Sequence, residues 1–476
     1  MEKRGRICRR TQSVCPVCLK VIPAENVRYG TRVYMEKMCP EHGFFKTLIW
    51  NGPPDYESWQ QDKREESPVN PEKEVKRGCP YDCGLCPNHR QKTCCVLLEV
   101  TGRCNLECPI CFASSGKKAK KDPDLSVIER WYDMLMEKGG PFNIQLSGGE
   151  PSLRDDIPRM IRMGREKGFT FFQLNSNGIR IAEDRDYVRR LAEAGLNCVF
   201  LQFDGFKETT YRQLRGRMLL EEKKKAIAAC GEAGIGVVLV PTLAYGVNTE
   251  EIGDILAFAL DRMPVVRGVH FQPLSYFGRY EGMRQEKRYT LPDLLRDIER
   301  QTQGRMKVSD FRPGNAENPY CSFSGNFIRM EDKSLRPWNG GGSCGCGSKK
   351  QAGKGASAQA RKFVARRWSA GRPAVKHLQP GNSCCCADSL DDFLERVNSQ
   401  SLAVSCMTFM DAWNLDLDRL KECYIHEVEQ KEGRSLIPFC AYNLTAEDGR
   451  TLYRGEKDES SAGSMDQKKA RNRRSG

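Results

Sequence analysis

Cys104, Cys108 and Cys111 stand on one short segment, TGRCNLECPICF from Thr101 to Phe112, with gaps of three and two residues. Three thiolates so spaced can hold three irons of a cubane, leaving the fourth iron an open position that can chelate an amine and a carboxylate. Zinc binding or plain electron transfer is the other chemistry open to these residues. Cys79, Cys83 and Cys86 repeat the same gaps and are followed by Cys94 and Cys95. With Cys94 as fourth ligand, this set reads as an auxiliary cluster, zinc being the alternative. Cys15, Cys18, Cys39 and His42 form a C-x2-C and C-x2-H set suited to tetrahedral zinc or a single rubredoxin-like iron. The alternative for His42 is a surface histidine beside a three-cysteine site. Further on, Cys406, Cys423 and Cys440, joined by Cys321, could hold a third cluster, or could be buried structural cysteines. Cys198 and Cys230 fall on a predicted strand and helix and are expected in the core. Cys344, Cys346 and Cys384 to Cys386 receive no role.

About forty residues after the first loop comes Ser147-Gly148-Gly149-Glu150-Pro151. Glycines belong where a side chain would block the close approach of a ligand. Together, the C-x3-C-x2-C loop with Ile110 before its last cysteine and the GGEP motif at the next strand end resemble the radical S-adenosylmethionine (SAM) superfamily. The resemblance implies that Cys104, Cys108 and Cys111 hold a [4Fe-4S] cluster that binds SAM. It also implies that Gly148, Gly149, Glu150 and Pro151 receive the SAM amino group. By position in the resemblance, Ser176, Asn177, Asp204 and Thr242 contact the ribose, the methionine carboxylate or the adenine. Reductive cleavage of SAM would give a 5'-deoxyadenosyl radical that takes hydrogen from an unactivated carbon, inside a barrel that keeps water away. The Cys79 loop is not expected to bind SAM, because no strand precedes it and no GGEP follows at the right distance.

The elements that must position these groups follow from periodicity. Between Val96 and Gln301, apolar β-branched runs alternate with helical-period stretches, the pattern of βα units around a parallel sheet. Strands are expected at Val96 to Val100, Asn143 to Leu146, Phe171 to Asn175, Cys198 to Phe203, Gly236 to Thr242 and Val269 to Pro273. Helices are expected at Leu125 to Lys138, Glu221 to Ala233 and Glu250 to Arg262. Reactive groups on parallel barrels gather at the carboxyl ends of strands, which is where the motifs fall. The expected architecture is α/β: a partial (β/α)6 barrel with a small N-terminal Cys/His metal module and a cysteine-containing C-terminal extension. The expected segments are a metal module over 1–50, a linker over 51–77, the auxiliary cluster segment over 78–95 and the core barrel over 96–310. The extension starts over 311–338, a mobile basic insertion spans 339–387, a C-terminal cluster region spans 388–453 and a disordered tail spans 454–476.

Bulk properties narrow the setting. The chain has 476 residues, 23 of them cysteine, and a formal charge of +14. Clustered cysteines without an apolar leader point to a reducing compartment, so metal ligands are expected rather than disulfides, in the cytoplasm. The longest apolar runs, such as Ile235 to Leu243, are too short to span a bilayer. Nine of the cations lie between Lys349 and Lys376, and five more at Lys468, Lys469, Arg471, Arg473 and Arg474. Such stretches are usually solvated, though they can attract acidic lipid headgroups or RNA. No aromatic-interleaved basic face accompanies them, which speaks against a nucleic-acid partner. Deleting 340–385 is expected to abolish an RNA-modifying activity and to spare one on a small molecule. A bare electron carrier would need neither Gly149 nor Glu150.

The ordered set of CPxC with CPEHG near the start, GCPYDCGLCPNH before the SAM loop, FQPLSYFGR at 271–279 and IPFCAYN near the end narrows the resemblance. It is similar to a branch holding the archaeal tetraether lipid synthases and the 7,8-dihydro-6-hydroxymethylpterin dimethyltransferases. That branch implies carbon–carbon bond formation, either methylation of a pterin-type ring or coupling of lipid chains. It also implies one or two auxiliary [4Fe-4S] clusters and a low-potential donor such as ferredoxin or flavodoxin. A pterin would be met by Gln272, Tyr276, Arg279 and Tyr280, and a lipid by a long apolar groove. The basic insertion departs from the branch pattern and weakens the third cluster.

Overall fold

The computed structural model describes residues 5–60, 65–71, 74–116, 121–280, 287–314, 316–338, 355–370, 396–430 and 433–454. Four antiparallel strands form the N-terminal module: β1 (Arg6–Val14), β2 (Val21–Tyr29), β3 (Arg32–Cys39) and β4 (Gly43–Asn51), paired in that order. Along β3, Val33, Met35, Lys37 and Cys39 are buried while their neighbours are more exposed, the period of a sheet with one packed face. The surprise on that face is Lys37. Its Nζ donates to Ser13 Oγ (3.0 Å), Val14 O (2.8 Å) and Ala412 O (2.7 Å), so the module is fastened to the C-terminal part of the chain.

The segment after β4, expected as a linker, begins as packed structure. Trp50, Tyr56 and Trp59 are buried and meet Tyr320, whose ring stacks on Tyr56 at 4.3 Å. Trp59 Nε1 donates to Pro319 O at 3.0 Å, which satisfies the one polar atom the indole buries.

The main sheet starts with six parallel strands. They are β5 (Cys95–Thr101), β6 (Asn143–Gly148), β7 (Phe172–Ser176), β8 (Cys198–Gln202), β9 (Gly236–Val240) and β11 (Val266–Pro273), with the short β10 (Thr242–Leu243) beside β11. Helices α1 (Leu125–Glu137), α2 (Ile157–Glu166), α3 (Ile179–Glu183), α4 (Arg185–Ala194), α5 (Glu208–Arg215), α6 (Leu220–Glu232), α7 (Ile252–Asp261) and α8 (Leu291–Gln301) alternate with them. α1 buries Ile128, Trp131, Tyr132 and Leu135, the stripe its sequence spacing predicts. Cys198 and Cys230 are in the core as expected.

The C-terminal part does not stand apart from this sheet. Beyond β12 (Arg312–Pro313), β13 (Ser322–Arg329) and β14 (Leu335–Pro337), strand β15 (Ser401–Met407) pairs parallel to β11. At the far edge β16 (Ile425–Val428) pairs parallel to β5. β13 then lies antiparallel to β15, and β17 (Leu436–Pro438) antiparallel to β16. Both open edges of the six-stranded core are thus covered by residues after position 400, which removes the exposed ladder groups an edge would present.

The basic insertion also differs from expectation. Residues 356–368 form a helix, α9 (Ala356–Trp368), packed against the strands instead of extending into solvent. Val364, Ala365 and Trp368 meet Phe171, Cys198, Phe200, Val238 and Val240, while Arg361 and Arg367 supply carbonyl oxygens to Asn143 Nδ2 and Arg267 Nε. Three apolar side chains on one face drive this docking, and the basic ones lie around them. Cys344, Cys346, Cys384 to Cys386 and the tail from 455 fall outside the described residues.

Candidate active site

The loop after β5 carries Cys104, Cys108 and Cys111, and Arg279 clamps it from one side. Cys111 exchanges backbone hydrogen bonds with Arg279 (2.9 Å each way), Arg279 Nε donates to Cys108 O at 2.8 Å, and its guanidinium reaches Ser115 O at 3.1 Å. Arg279, expected to touch a substrate, is occupied in clamping this loop. Tyr276 and Tyr280 likewise pack with Trp413 in a separate apolar cluster, so of the four groups expected around a ring only Gln272 lines the cavity.

At the end of β6, Gly149 N donates to Thr101 O and Glu150 N to Arg103 O, each at 2.8 Å. Gly148 has φ +126°, and a Cβ on Gly148 or Gly149 would collide with the carbonyl oxygens of Thr101 and Arg103. The glycines therefore let the second strand end lie directly against the cysteine loop. Glu150 is 1% exposed. Its carboxylate accepts from Ser152 Oγ (2.6 Å), Ser176 Oγ (2.8 Å) and Asn177 N (2.6 Å), which fixes its direction before any ligand arrives.

These groups line one cavity of about 290 Å³ that runs from the cysteine loop down the barrel interior. Cys104, Cys108, Cys111, Gly148, Gly149, Glu150, Ser176, Asn177 and Thr242 all face it. Pro151 instead opens a buried 3-10 turn, and Asp204 is fully buried behind the wall. Asp204 grips Arg215 through two bonds (2.7 and 2.8 Å) and accepts from Thr242 N at 3.1 Å. Arg215 does line the cavity, near Cys108 and Cys111, and sequence reading missed it. Burial opposes its charge, but Asp204 outweighs burial and keeps it protonated. Lys223, fully buried behind Asn177, is lowered to about 8 by burial and donates to Asn177 O.

Burial pushes the Cys104 thiol up to about 12 and raises Cys108, with the neighbouring cysteines acting in the same direction. Three thiols lining one cavity need added positive charge to persist together as thiolates. Bound iron supplies that charge, so the donor set suits a three-cysteine cluster with an open iron. Gly148, Gly149 and the pre-set Glu150 beside it suit a ligand with a cationic amine.

The other cysteine sets separate. Cys15, Cys18, Cys39 and His42 bring their ligand atoms within 4.8 Å of one another. His42 Nδ1 lies 3.4 Å from Cys39 Sγ and 3.6 Å from Cys15 Sγ, close to the edges of a tetrahedron around zinc, about 3.5 Å from the usual bond lengths. Burial opposes ionisation of Cys39, yet the imidazole of His42 and backbone amides bring its thiol down to about 6, while burial takes Cys15 up to about 11.

Cys79, Cys83 and Cys86 border a small hollow with His89 and Lys421. Cys94, expected as their fourth ligand, lines the main cavity beside Cys95 instead. Cys321, Cys423 and Cys440 neighbour one another: burial first, then Cys423 and Cys321, raise the Cys440 thiol. Cys406 does not join them. It sits in β15, opposite Phe323, buried in the core with Phe271 alongside. All cysteines among the described residues are free.

Residues 98–259 match the radical SAM superfamily, and residues 7–51 match the HMPTM N-terminal zinc ribbon domain. The chain is 35% identical over 490 residues to the 7,8-dihydro-6-hydroxymethylpterin dimethyltransferase of Methanocaldococcus jannaschii, covering 95% of each chain. It is 29% identical over 180 residues to a probable GTP 3',8-cyclase of Methanothermobacter thermautotrophicus, covering 38% of this chain and 58% of that one. Among solved structures, Streptococcus suis SuiB bound to S-adenosylmethionine is 18% identical with a TM-score of 0.38, covering 45% of this chain and 48% of the other.

Proposed function

Since the chain belongs to the radical SAM superfamily, and within it to the family of the 7,8-dihydro-6-hydroxymethylpterin dimethyltransferase, we propose that it methylates a ring carbon of a pterin-type substrate. The observation that carries this reading is the inner lining of the cavity, where Gln145, Gln173, Asn175, Gln202 and Gln272 stand among aromatic rings. Amides between aromatic faces suit a flat, neutral, hydrogen-bonding ring better than an alkyl chain. Lipid-chain coupling therefore has less support here.

When bound, the cluster and SAM supply the 5'-deoxyadenosyl radical. In this reading the protein's own residues do the rest. Cys104, Cys108 and Cys111 hold three irons, and Arg279 keeps their loop in place. Gly148, Gly149 and Glu150 receive the SAM amino group, with Ser176 and Asn177 setting the carboxylate, while Arg215, held by Asp204, offers its guanidinium to the SAM carboxylate. The apolar walls keep water from the reacting atoms. Auxiliary [4Fe-4S] clusters on Cys79, Cys83 and Cys86, and on Cys321, Cys423 and Cys440, would pass electrons inward from a low-potential donor such as ferredoxin or flavodoxin. Zinc in the N-terminal site would be structural. No helix among the described residues is long and apolar enough to cross a membrane, and we place the enzyme in the cytoplasm on its many free cysteines.

The test is anaerobic reconstitution, iron and sulfide counting, and reduction with dithionite in the presence of SAM, 6-hydroxymethyl-7,8-dihydropterin and a methyl source, either a second equivalent of SAM or a reduced pterin carrying a one-carbon group. 5'-Deoxyadenosine and a methylated pterin should form, and both should vanish in Cys104→Ala. 5'-Deoxyadenosine with unmodified pterin under every donor tried would overturn the substrate assignment.

A further inference from the structure

A pterin-type substrate must be recognised by something, and the inner end of the cavity holds a feature that no other part of the site requires. Gln173 Nε2 donates to Asn175 Oδ1 (2.7 Å), Asn175 Nδ2 to Gln145 Oε1 (3.2 Å), and Gln145 Nε2 to Cys95 Sγ (3.0 Å). Three amides on two neighbouring strands thus form a chain running in one direction, anchored at its far end on a thiol. The near end is the carbonyl oxygen of Gln173. That atom is buried and has no hydrogen-bond partner among the described residues; Gln173 borders the cavity with no accessible surface of its own, so a ring N–H meets its oxygen once the amide turns toward the lumen. An unpaired buried amide oxygen is destabilising, and a donor arriving in the cavity removes that cost.

Beside it stands an aromatic wall. Phe200 and Trp368 have ring centroids 5.1 Å apart, and His270 lies 5.2 Å from Phe200 and 5.9 Å from Trp368. His270 is itself oriented by Ser405 Oγ at 2.8 Å from its Nδ1. Trp368 comes from α9, and the helix end reaches this depth because Gly236 has no side chain: a Cβ there would run into Trp368 O. The helix from the basic insertion therefore forms part of the cavity wall.

We propose that this inner end is the recognition subsite for the substrate ring, with Gln173 Oε1 accepting from a ring N–H and the Phe200–Trp368 wall covering the ring's face. This assignment rests on the pterin reading. It makes Gln173 a specificity residue and α9 a specificity element, and the ligand class is a flat heterocycle with an N–H donor on its edge, such as a lactam flanked by an amino group.

The experiment is equilibrium dialysis of the reconstituted enzyme with SAM against 6-hydroxymethyl-7,8-dihydropterin and its N3-methyl analogue, using wild type, Gln173→Met and Trp368→Leu. SAM affinity is measured in parallel. The expected result is that Gln173→Met binds the pterin at least tenfold more weakly, about 1.4 kcal/mol, and no longer prefers it over the N-methylated analogue, with SAM affinity kept. Trp368→Leu should weaken both pterins alike. Unchanged pterin affinity in Gln173→Met would overturn the subsite and leave the pterin reading standing. Loss of SAM affinity in its place would assign Gln173 to the cofactor and also overturn it. Wild type that binds neither pterin, while SAM is still cleaved, sinks the pterin reading and the subsite together. If Gln173→Met does not fold, the wild type still decides: equal affinity for the two pterins counts against the proposal, and preference for the unmethylated one supports it.

Discussion

At the scale of single residues, the site divides into groups announced by spacing and groups that are not. Side chains brought together by short gaps follow local geometry, so the meeting of Cys104, Cys108 and Cys111, and of the pairs Cys15/Cys18 and Cys39/His42, could be read directly. Arg215, Gln173 and His270 could not, since each gains its meaning from a strand or helix distant in sequence. Arg279 was legible as important and misread in role, because the sequence does not reveal that the loop carrying Cys111 comes back beside it. Arg279→Gln removes charged hydrogen bonds to Cys108 O and Ser115 O. We expect it to destabilise the loop by about 2 kcal/mol, read as iron lost from the reconstituted enzyme under mild chelation while the zinc content holds. Asp204→Asn leaves Arg215 charged and buried without its partner. It should cost about 3–5 kcal/mol in chemical denaturation, and Asp204→Asn combined with Arg215→Met should recover much of that loss.

At the scale of elements, the six βα units were legible because a parallel strand buried on both faces is a continuous apolar run. β15 and β16 were not, since their partners are β11 and β5 and no local turn announces either pairing. α9 was hidden by its charge, although Val364 and Trp368 four residues apart carried the signal of a buried face. Deleting 340–385 consequently cannot separate an RNA substrate from a small one. The deletion removes a cavity wall, and it should abolish pterin methylation, measured by product mass. The β5–β16 edge holds a second testable feature. Arg454 bonds Glu99 and lies 3.6 Å from Glu427, and burial first, then Glu99, pushes the Glu427 carboxyl up to about 8 from an ordinary 4.5. The folded protein therefore holds a proton there that the unfolded chain releases, so this contribution to stability is full below about pH 4.5 and is lost as pH rises toward and through 8. Glu427→Gln should flatten that decline, measured as denaturation midpoints between pH 6 and 9. An equally steep decline in the variant would show that the proton sits elsewhere.

At the scale of the whole molecule, the contacts that bolt the N-terminal module to the rest include Lys37 on Ala412, Thr11 on Asp416, Asn51 on Asp293, and the aromatic group of Trp50, Tyr56, Trp59 and Tyr320. Structural zinc sites contribute folding energy outright. Cys39→Ser, or the metal stripped by a chelator, should lower the thermal midpoint of the entire chain and expose the region near residue 60 to protease. An unchanged midpoint would mean that the module folds without its metal. The two-sided closure of the sheet bears on the order in which the enzyme can be made. A chain emerging from the ribosome can lay down β5 through β11 early, yet β15 and β16 arrive last and must pair at opposite edges. Until they do, β11 and β5 keep open edges. Late, long-range pairing of this kind is slow and leaves edges exposed. The sheet that carries the Cys104 loop is therefore completed at both edges by strands that come later in the chain than its interior.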